Sequence, residues 1–316
     1  MTNNGRNPRT NWRGVLTPLV TPFAPDGALD LDALASNLEW LFERGADASN
    51  TVLLAAGSGG DFSSMNLTER QQVIETVAQI NAGRTPLIAG VQALDIRDCI
   101  ALCQFCERVG VDAVQISGPF YYDGRPGDVV AWMKQVARYT SIGFAVYNNW
   151  YTGYNMPLEL LDELLDITNS VAIKWSSPTI ETFMAGVRRF LPHVAVVNNT
   201  FHTVIGHLLG CEVFVSHWPN FCPEFPWRIK GLMDSGQYRE AQRELDRVMV
   251  PYDALVARIS SQTAGEGVFV RPAMAEAGWR GGSSRLPSRD DVVTPEIRRG
   301  FRELLALASM APAAAR

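Results

Sequence analysis

Runs of basic residues are missing from this chain. None is longer than a pair, such as Arg188 with Arg189 or Arg298 with Arg299, and the formal net charge is -5. Nucleic acids and anionic membrane surfaces call for clustered Lys and Arg, so neither is expected as a partner. Long apolar runs are missing too. No stretch approaches the length of a membrane span, and the opening MTNNGRNPRTNWRG lacks the apolar core of a secretion signal. Cysteine is scarce, with five residues at no framework spacing. That excludes a disulfide scaffold and leads to the expectation of a reduced, cytoplasmic protein. His193, His202, His207 and His217 have no zinc-ligand spacing. With 316 residues, 47% of them hydrophobic, the chain can bury a full core without such staples.

What is present is an alternation of short apolar runs and helical patterns. The runs expected as strands are Val15–Thr21, Thr51–Ala56, Pro86–Val91, Asp112–Ser117, Gly143–Asn148, Val171–Trp175, Val194–Asn198 and Glu212–Ser216. They are continuously apolar, as parallel strands buried on both faces are. A helical pattern follows each one. Leu31–Arg44 carries Leu31, Leu34, Leu38, Leu41 and Phe42 on one face. The next helix is expected to be capped by Thr68, with Gln71 at the box position. Eight such units in roughly 230 residues suit an α/β fold, the (β/α)8 TIM barrel. A doubly wound open sheet is the alternative. Tyr238–Ile259, Glu266–Ala277 and Pro295–Ala308 add a C-terminal helical extension. The expected organisation is a flexible N-terminus at 1–12, the barrel at 13–235, a three-helix unit at 236–311 and a tail at 312–316.

Barrel enzymes carry their chemistry at the carboxyl ends of the strands. Lys174, within VAIKW, is the only lysine in any expected strand. Burial strips an ammonium of hydration and favours the neutral amine, which is the nucleophile for Schiff-base formation. The plainer reading is a strand-end lysine that reaches solvent. Tyr147, at the end of the preceding strand, favours the first reading, because Schiff-base chemistry needs a proton shuttle and a phenol supplies one. Gly57-Ser58-Gly59-Gly60 offers backbone N–H groups and one hydroxyl to a small carboxylate.

Together these residues resemble the dihydrodipicolinate synthase / N-acetylneuraminate lyase family of class I aldolases and lyases, from about Arg13 to Pro295. GVLTPLVTPF looks like the family's first strand and turn, and GSGGD stands where it has G-T-T-G-E. PLIAGV, GPFYY, YNN and VAIKWSS resemble its third strand, its T-P-Y-Y and Y-N-x segments and its I-K-D-S-S strand. The resemblance implies that Lys174 forms the Schiff base with a 2-oxo acid such as pyruvate and that Tyr147 moves protons. Ser58 and a tyrosine of a neighbouring subunit, Tyr121 or Tyr122, would complete the relay. It further implies carboxylate binding at Gly57, Gly59 and Gly60, a homotetramer built from dimers, and no metal or organic cofactor.

Three departures bear on substrate. Gly59 replaces a threonine, YNNWYTG lacks the arginine that grips a second carboxylate, and Trp175 follows the lysine where an Asp is common. They argue against dihydrodipicolinate synthase itself. Trp150, Tyr151 and Trp218 either line an aromatic pocket, as in hydratase-aldolases that cleave arylidene pyruvates, or, for each Trp, serve packing or subunit contact. Asn148 and Asn149 either bind a substrate hydroxyl, as in a dehydratase of 2-keto-3-deoxy sugar acids, or tie down the loop. A metabolite-binding barrel without turnover is the non-enzymatic alternative. Cys99, Cys103 and Cys106 spell the C-x3-C-x2-C of radical S-adenosylmethionine enzymes. They fall on one face of an expected helix, where cysteine behaves as a small hydrophobe.

Overall fold

A computed structural model describes residues 12–122, 124–151 and 153–310. The expected tail at 312–316 lies outside these residues, and so does the expected flexible N-terminus except for its last residue. That residue, Trp12, overturns the expectation for itself, since its side chain is 4% exposed and packs in the core.

Eight strands, β1 (Gly14–Pro18), β2 (Thr51–Ala55), β3 (Leu87–Gly90), β4 (Ala113–Ile116), β5 (Gly143–Tyr147), β6 (Ser170–Trp175), β7 (Ala195–Asn198) and β8 (Val213–Val215), close in chain order into a barrel. The pairings from β2 through β8 are parallel, and β1 pairs parallel with β8 to seal the ring. The helices between strands are α1 (Leu31–Glu43), α2 (Leu67–Asn81), α3 (Ile96–Val109), α4 (Pro126–Ala137), α5 (Leu158–Leu165), α6 (Ile180–Phe190) and α7 (Thr203–Leu208). After β8 come α8 (Glu224–Asp234), α9 (Tyr238–Ser260), α10 (Gly267–Glu276) and α11 (Pro295–Ser309). This is the (β/α)8 barrel with a C-terminal helical extension.

The barrel interior is filled. Every strand contributes to one buried cluster that includes Leu16, Leu54, Ile88, Ala113, Ala145, Ala172, Val197 and Val213, and Trp12 joins it just ahead of β1. Three alanines in that cluster lie on β4, β5 and β6. Side chains alternate along a strand. The residue two positions beyond each alanine, namely Gln115, Tyr147 and Lys174, therefore faces inward one layer nearer the carboxyl end.

Register on β5 and β6 is set by a bulge. Phe144 pairs with Ser170 and Ala145 with Ala172, so Val171 has no partner on β5. The extra residue advances the pairing by one and brings Tyr147 opposite Lys174. Gly143 makes room for it, since a Cβ there would stand 2.9 Å from Val171 Cγ2.

Helix starts follow local chemistry. The α2 terminus differs from expectation, because Asn66 and not Thr68 caps it. Glu69 N–H donates to Asn66 Oδ1 and Asn66 N–H to Glu69 Oε2, both at 2.9 Å. Asn66 with Glu69 is a complete capping box two residues earlier than Thr68 would allow.

The chain divides into two compact units. The first holds the described residues through Leu16, Ala48–Ala55 and Asn81–Val215, hence the strands and α3 to α7. The second holds Thr17–Asp47, Ala56–Ile80 and the described residues from Ser216 onward. The division does not follow the boundary expected at residue 235, because α1 and α2 pack with the C-terminal segments. Trp40 lies 4.0 Å ring to ring from Trp279, Arg280 pairs with Asp30 at 2.8 Å, and Arg285 pairs with Glu69 at 2.7 Å. Among the described residues no helix is long and apolar enough to cross a membrane.

Candidate active site

The first unit gathers four of the polar groups. Lys174 is 6% exposed, and its Nζ donates to Gln115 Oε1 at 3.0 Å. The same nitrogen lies 4.3 Å from the centre of the Tyr147 ring. Tyr147 is 1% exposed, its hydroxyl is 2.6 Å from the hydroxyl of Tyr151, and Asn199 Nδ2 donates to it at 3.4 Å. A primary amine with an amide, and two phenols with each other, therefore form two hydrogen-bonded pairs at the carboxyl end of the barrel, which meet where the amine faces the Tyr147 ring. Buried in this way, the amine loses hydration and keeps a fixed direction.

Gln115 was not among the expected site residues. Its signal was legible, since a glutamine inside the apolar run AVQI needs a buried partner. Gln115 is 1% exposed, and among the described residues its Nε2 has no hydrogen-bond partner. Asn199, just beyond β7, was also missed. Its backbone N–H donates to Trp175 O at 2.9 Å, which fixes the turn that carries its side chain.

The structure separates the expected substrate-binding residues. Asn148 is fully buried and its amide is consumed by the loop: Nδ2 donates to Ser176 O at 2.7 Å and to Asn155 Oδ1 at 3.2 Å, and Oδ1 accepts from Met156 N–H at 2.9 Å. Of the two readings, tying down the loop is the one observed. Asn149 O accepts from Gly153 N–H at 2.9 Å, closing the turn that presents Trp150 and Tyr151. These two rings meet edge to face at 5.7 Å and both are partly exposed. Tyr121 and Tyr122 are exposed and pair with each other at 4.9 Å. Trp175 faces outward. Its Nε1 donates to Phe183 O at 2.9 Å, and Gly186 leaves space for its ring.

In the second unit the glycine loop forms a tight turn. Gly57 O accepts from Gly60 N–H at 3.1 Å, and Ser58 O accepts from Asp61 N–H at 3.0 Å. Gly60 is thus corrected as a carboxylate donor, because its N–H is spent inside the turn; Gly57, Ser58 and Gly59 form the rest of it. A Cβ on Gly59 would stand 2.9 Å from His217 Nε2 and 3.0 Å from Pro18 Cβ. The threonine of the resemblance is therefore displaced by an imidazole. His217 lies 3.3 Å from Glu266 Oε2. Asp61, in the left-handed region at φ 53°, ends the turn and forms a buried ion pair with Arg271 at 2.6 Å. Burial pushes its carboxyl above the ordinary value, with Arg271 opposing. For Trp218, packing is the reading observed. It is 1% exposed and packs against Phe225, Phe221 and Tyr252 at 4.6, 4.9 and 5.4 Å, so it has no surface to offer a ligand.

Cys99, Cys103 and Cys106 are fully buried on α3. The Cys103 thiol is pushed well up by its hydrogen bond with Cys99 and by burial, which opposes a thiolate ligand. Among the described residues no group of three His, Cys, Asp or Glu is placed to hold a metal ion.

Comparisons with known proteins agree with this arrangement. A 4-hydroxy-tetrahydrodipicolinate synthase of Teredinibacter turnerae is 29% identical over 286 residues, covering 87% of this chain and 92% of that one. An N-acetylneuraminate lyase of Rhizobium meliloti is 26% identical over 87% of this chain and 89% of its own. Solved structures match across nearly the whole chain. The sialic acid aldolase of Ruminococcus gnavus superposes with TM-score 0.83 at 17% identity, covering 94% of this chain and 98% of that one. The dihydrodipicolinate synthase of Bacillus clausii gives 0.82 at 20% identity over the same shares. At those identities the structures speak for the fold alone. The family model described as the dihydrodipicolinate synthetase family matches residues 11–303. The chain belongs to that family of class I lyases and aldolases.

Proposed function

We propose that this protein makes or breaks a carbon–carbon bond next to the keto group of a 2-oxo acid, with pyruvate as the fixed half and Lys174 as the covalent anchor. The observation that carries this reading is the buried Lys174 amine, held by Gln115 at 3.0 Å and set 4.3 Å from the Tyr147 ring. The neutral amine adds to C2 of the 2-oxo acid, the carbinolamine loses water, and the protonated imine draws the electrons of the breaking C3–C4 bond into an enamine. Tyr147 delivers and recovers protons. Gln115 Oε1 accepts the N–H of the protonated imine. The family resemblance gives Ser58 a place in the relay and the Gly57–Gly59 turn the substrate carboxylate. No organic cofactor or metal enters this scheme, and a homotetramer of dimers is the assembly we assign.

The aldehyde half is aromatic or apolar in this reading, not a second carboxylate. The segment 148–153 carries no arginine, and Trp150 with Tyr151 presents two partly exposed rings there. This favours arylidene pyruvates, whose imine takes up water at C4 before the C3–C4 bond breaks and the C4 hydroxyl becomes the aldehyde, over the substrate of dihydrodipicolinate synthase. The keto-deoxy sugar acid reading loses its main support, because Asn148 is engaged within the loop.

Borohydride reduction in the presence of pyruvate, followed by peptide mass spectrometry, tests the anchor. The expected result is a reduced pyruvate adduct on the Lys174 peptide, after which an aldehyde screen identifies the other half. An adduct with an arylidene pyruvate alone would restrict the pocket to larger acids. Absence of adduct with every 2-oxo acid would leave a binding protein without turnover.

A further inference from the structure

A buried phenol that gives up a proton has to be recharged. Tyr147 is 1% exposed, so bulk water does not reach its ring directly. Its hydroxyl is 2.6 Å from that of Tyr151, near the short end of the O–H···O range, and Tyr151 is 48% exposed. Resting on the Schiff-base reading above, we propose that Tyr151 is the second member of the proton relay, which then runs from the reacting carbon through Tyr147 and Tyr151 to solvent inside one chain.

The hydrogen bonds allow transfer in both directions. Tyr147 Oη accepts from Asn199 Nδ2 at 3.4 Å, and either hydroxyl can be the donor between Tyr147 and Tyr151. In dehydration of the carbinolamine, the nitrogen lone pair forms the C2=N bond as the C2–O bond breaks. The Tyr147 proton goes to the departing oxygen, which leaves as water. Tyr151 passes its proton to Tyr147 Oη, and solvent restores Tyr151. One solvent proton is consumed and one cationic imine appears, so charge and atoms balance. Hydrolysis of the imine runs the same chain backwards.

The Tyr151 ring is fixed for this work. It meets Trp150 at 5.7 Å and 89°, and the turn beneath it is closed by Gly153 N–H on Asn149 O at 2.9 Å. The family resemblance gives the corresponding step to Tyr121 or Tyr122 of another subunit. In this chain those rings are exposed and pair with each other, whereas Tyr151 already touches the Tyr147 hydroxyl.

The test needs no knowledge of the aldehyde. Exchange of pyruvate methyl hydrogens for deuterium in D2O, followed by proton NMR, reports imine formation and enamine return. Tyr151→Phe keeps the ring and removes only the hydroxyl. Its exchange is expected to fall about 100-fold, the scale of one acid–base group, while borohydride still traps pyruvate on Lys174. Because the phenols act as a unit, Tyr147→Phe combined with Tyr151→Phe is expected to be no slower than Tyr147→Phe alone. Exchange at the unaltered rate in Tyr151→Phe, or fully multiplicative losses in the double variant, overturns the relay. Loss in Tyr121→Phe or Tyr122→Phe with none in Tyr151→Phe assigns the step to another copy. If the unaltered protein neither traps nor exchanges pyruvate, the Schiff-base reading itself fails and takes the relay with it.

Discussion

Tyr147 and Lys174 are cross-strand partners on β5 and β6, with the lysine Nζ 4.3 Å from the tyrosine ring centre. Their roles separate experimentally. Lys174→Ala is expected to abolish borohydride trapping of pyruvate, since no other amine can take its place in the barrel wall. Tyr147→Phe is expected to retain slow trapping but to lose turnover by 100-fold or more, on the order of what a single general acid contributes. Equal turnover in Tyr147→Phe and the unaltered protein would remove the phenol from the mechanism.

That partnership depends on the bulged Val171. Gly143→Ala places a Cβ 2.9 Å from Val171 Cγ2, so either the valine shifts or the register does. Overpacking of this kind costs about 1–3 kcal/mol. A denaturant midpoint should fall accordingly, and trapping should fall further than stability because the Tyr147–Lys174 alignment is lost. Trapping that survives intact in a destabilised variant would mean the bulge serves packing only.

Gln115 separates stability from chemistry. Gln115→Leu removes a buried amide whose Nε2 has no hydrogen-bond partner among the described residues, but also the acceptor of Lys174 Nζ; the two effects oppose each other, so folding stability is expected to change little. The trapping rate is expected to drop about tenfold, the equivalent of one lost hydrogen bond of about 1.4 kcal/mol. Gln115→Glu puts a carboxylate beside Nζ and favours the ammonium, so the pH dependence of trapping should move to higher pH. An unshifted profile in Gln115→Glu would count against contact with the reacting nitrogen.

The barrel and its candidate nucleophile were legible because both rest on local pattern. Continuous apolar runs such as TVLLA mark strands buried on both faces, and a lysine in one of them stands out. Gln115 carried the same kind of signal in AVQI and was passed over for want of a motif. For Trp218 and Asn148 the sequence leaves packing and ligand binding both open, because side-chain type does not reveal what a residue packs on. One ring closes against Phe225 and Tyr252, and one amide is spent on Ser176 and Met156. The Tyr147–Tyr151 contact depends on the fold of a turn, which periodicity does not report.

Asp61 and Arg271 give a pH signature in the second unit. Burial raises the Asp61 carboxyl above its ordinary value, so the folded state holds that proton more tightly than the unfolded chain. Stability contributed by this group is present below the ordinary carboxylate value and is lost as pH rises through the folded one. Asp61→Asn should flatten the stability profile in that acidic window. Arg271→Met leaves a buried carboxylate without its partner and is expected to cost about 3–5 kcal/mol. Urea titrations at several pH values measure both, and a profile identical to the unaltered protein in Asp61→Asn would refute the assignment.

Gly59 and His217 form the sharpest difference from the family pattern. Gly59→Thr would restore the family residue, yet its Cβ would sit 2.9 Å from His217 Nε2 and 3.0 Å from Pro18 Cβ. The substitution is expected to destabilise by about 1–3 kcal/mol and to weaken pyruvate trapping. Removing the imidazole in a Gly59→Thr, His217→Gly double variant should recover most of that stability, because the clash has only one movable side. The coupling energy from the four proteins of the cycle measures the contact directly. Additive losses would show that His217 does not occupy the threonine's place, and that glycine stands at 59 because of Pro18 alone.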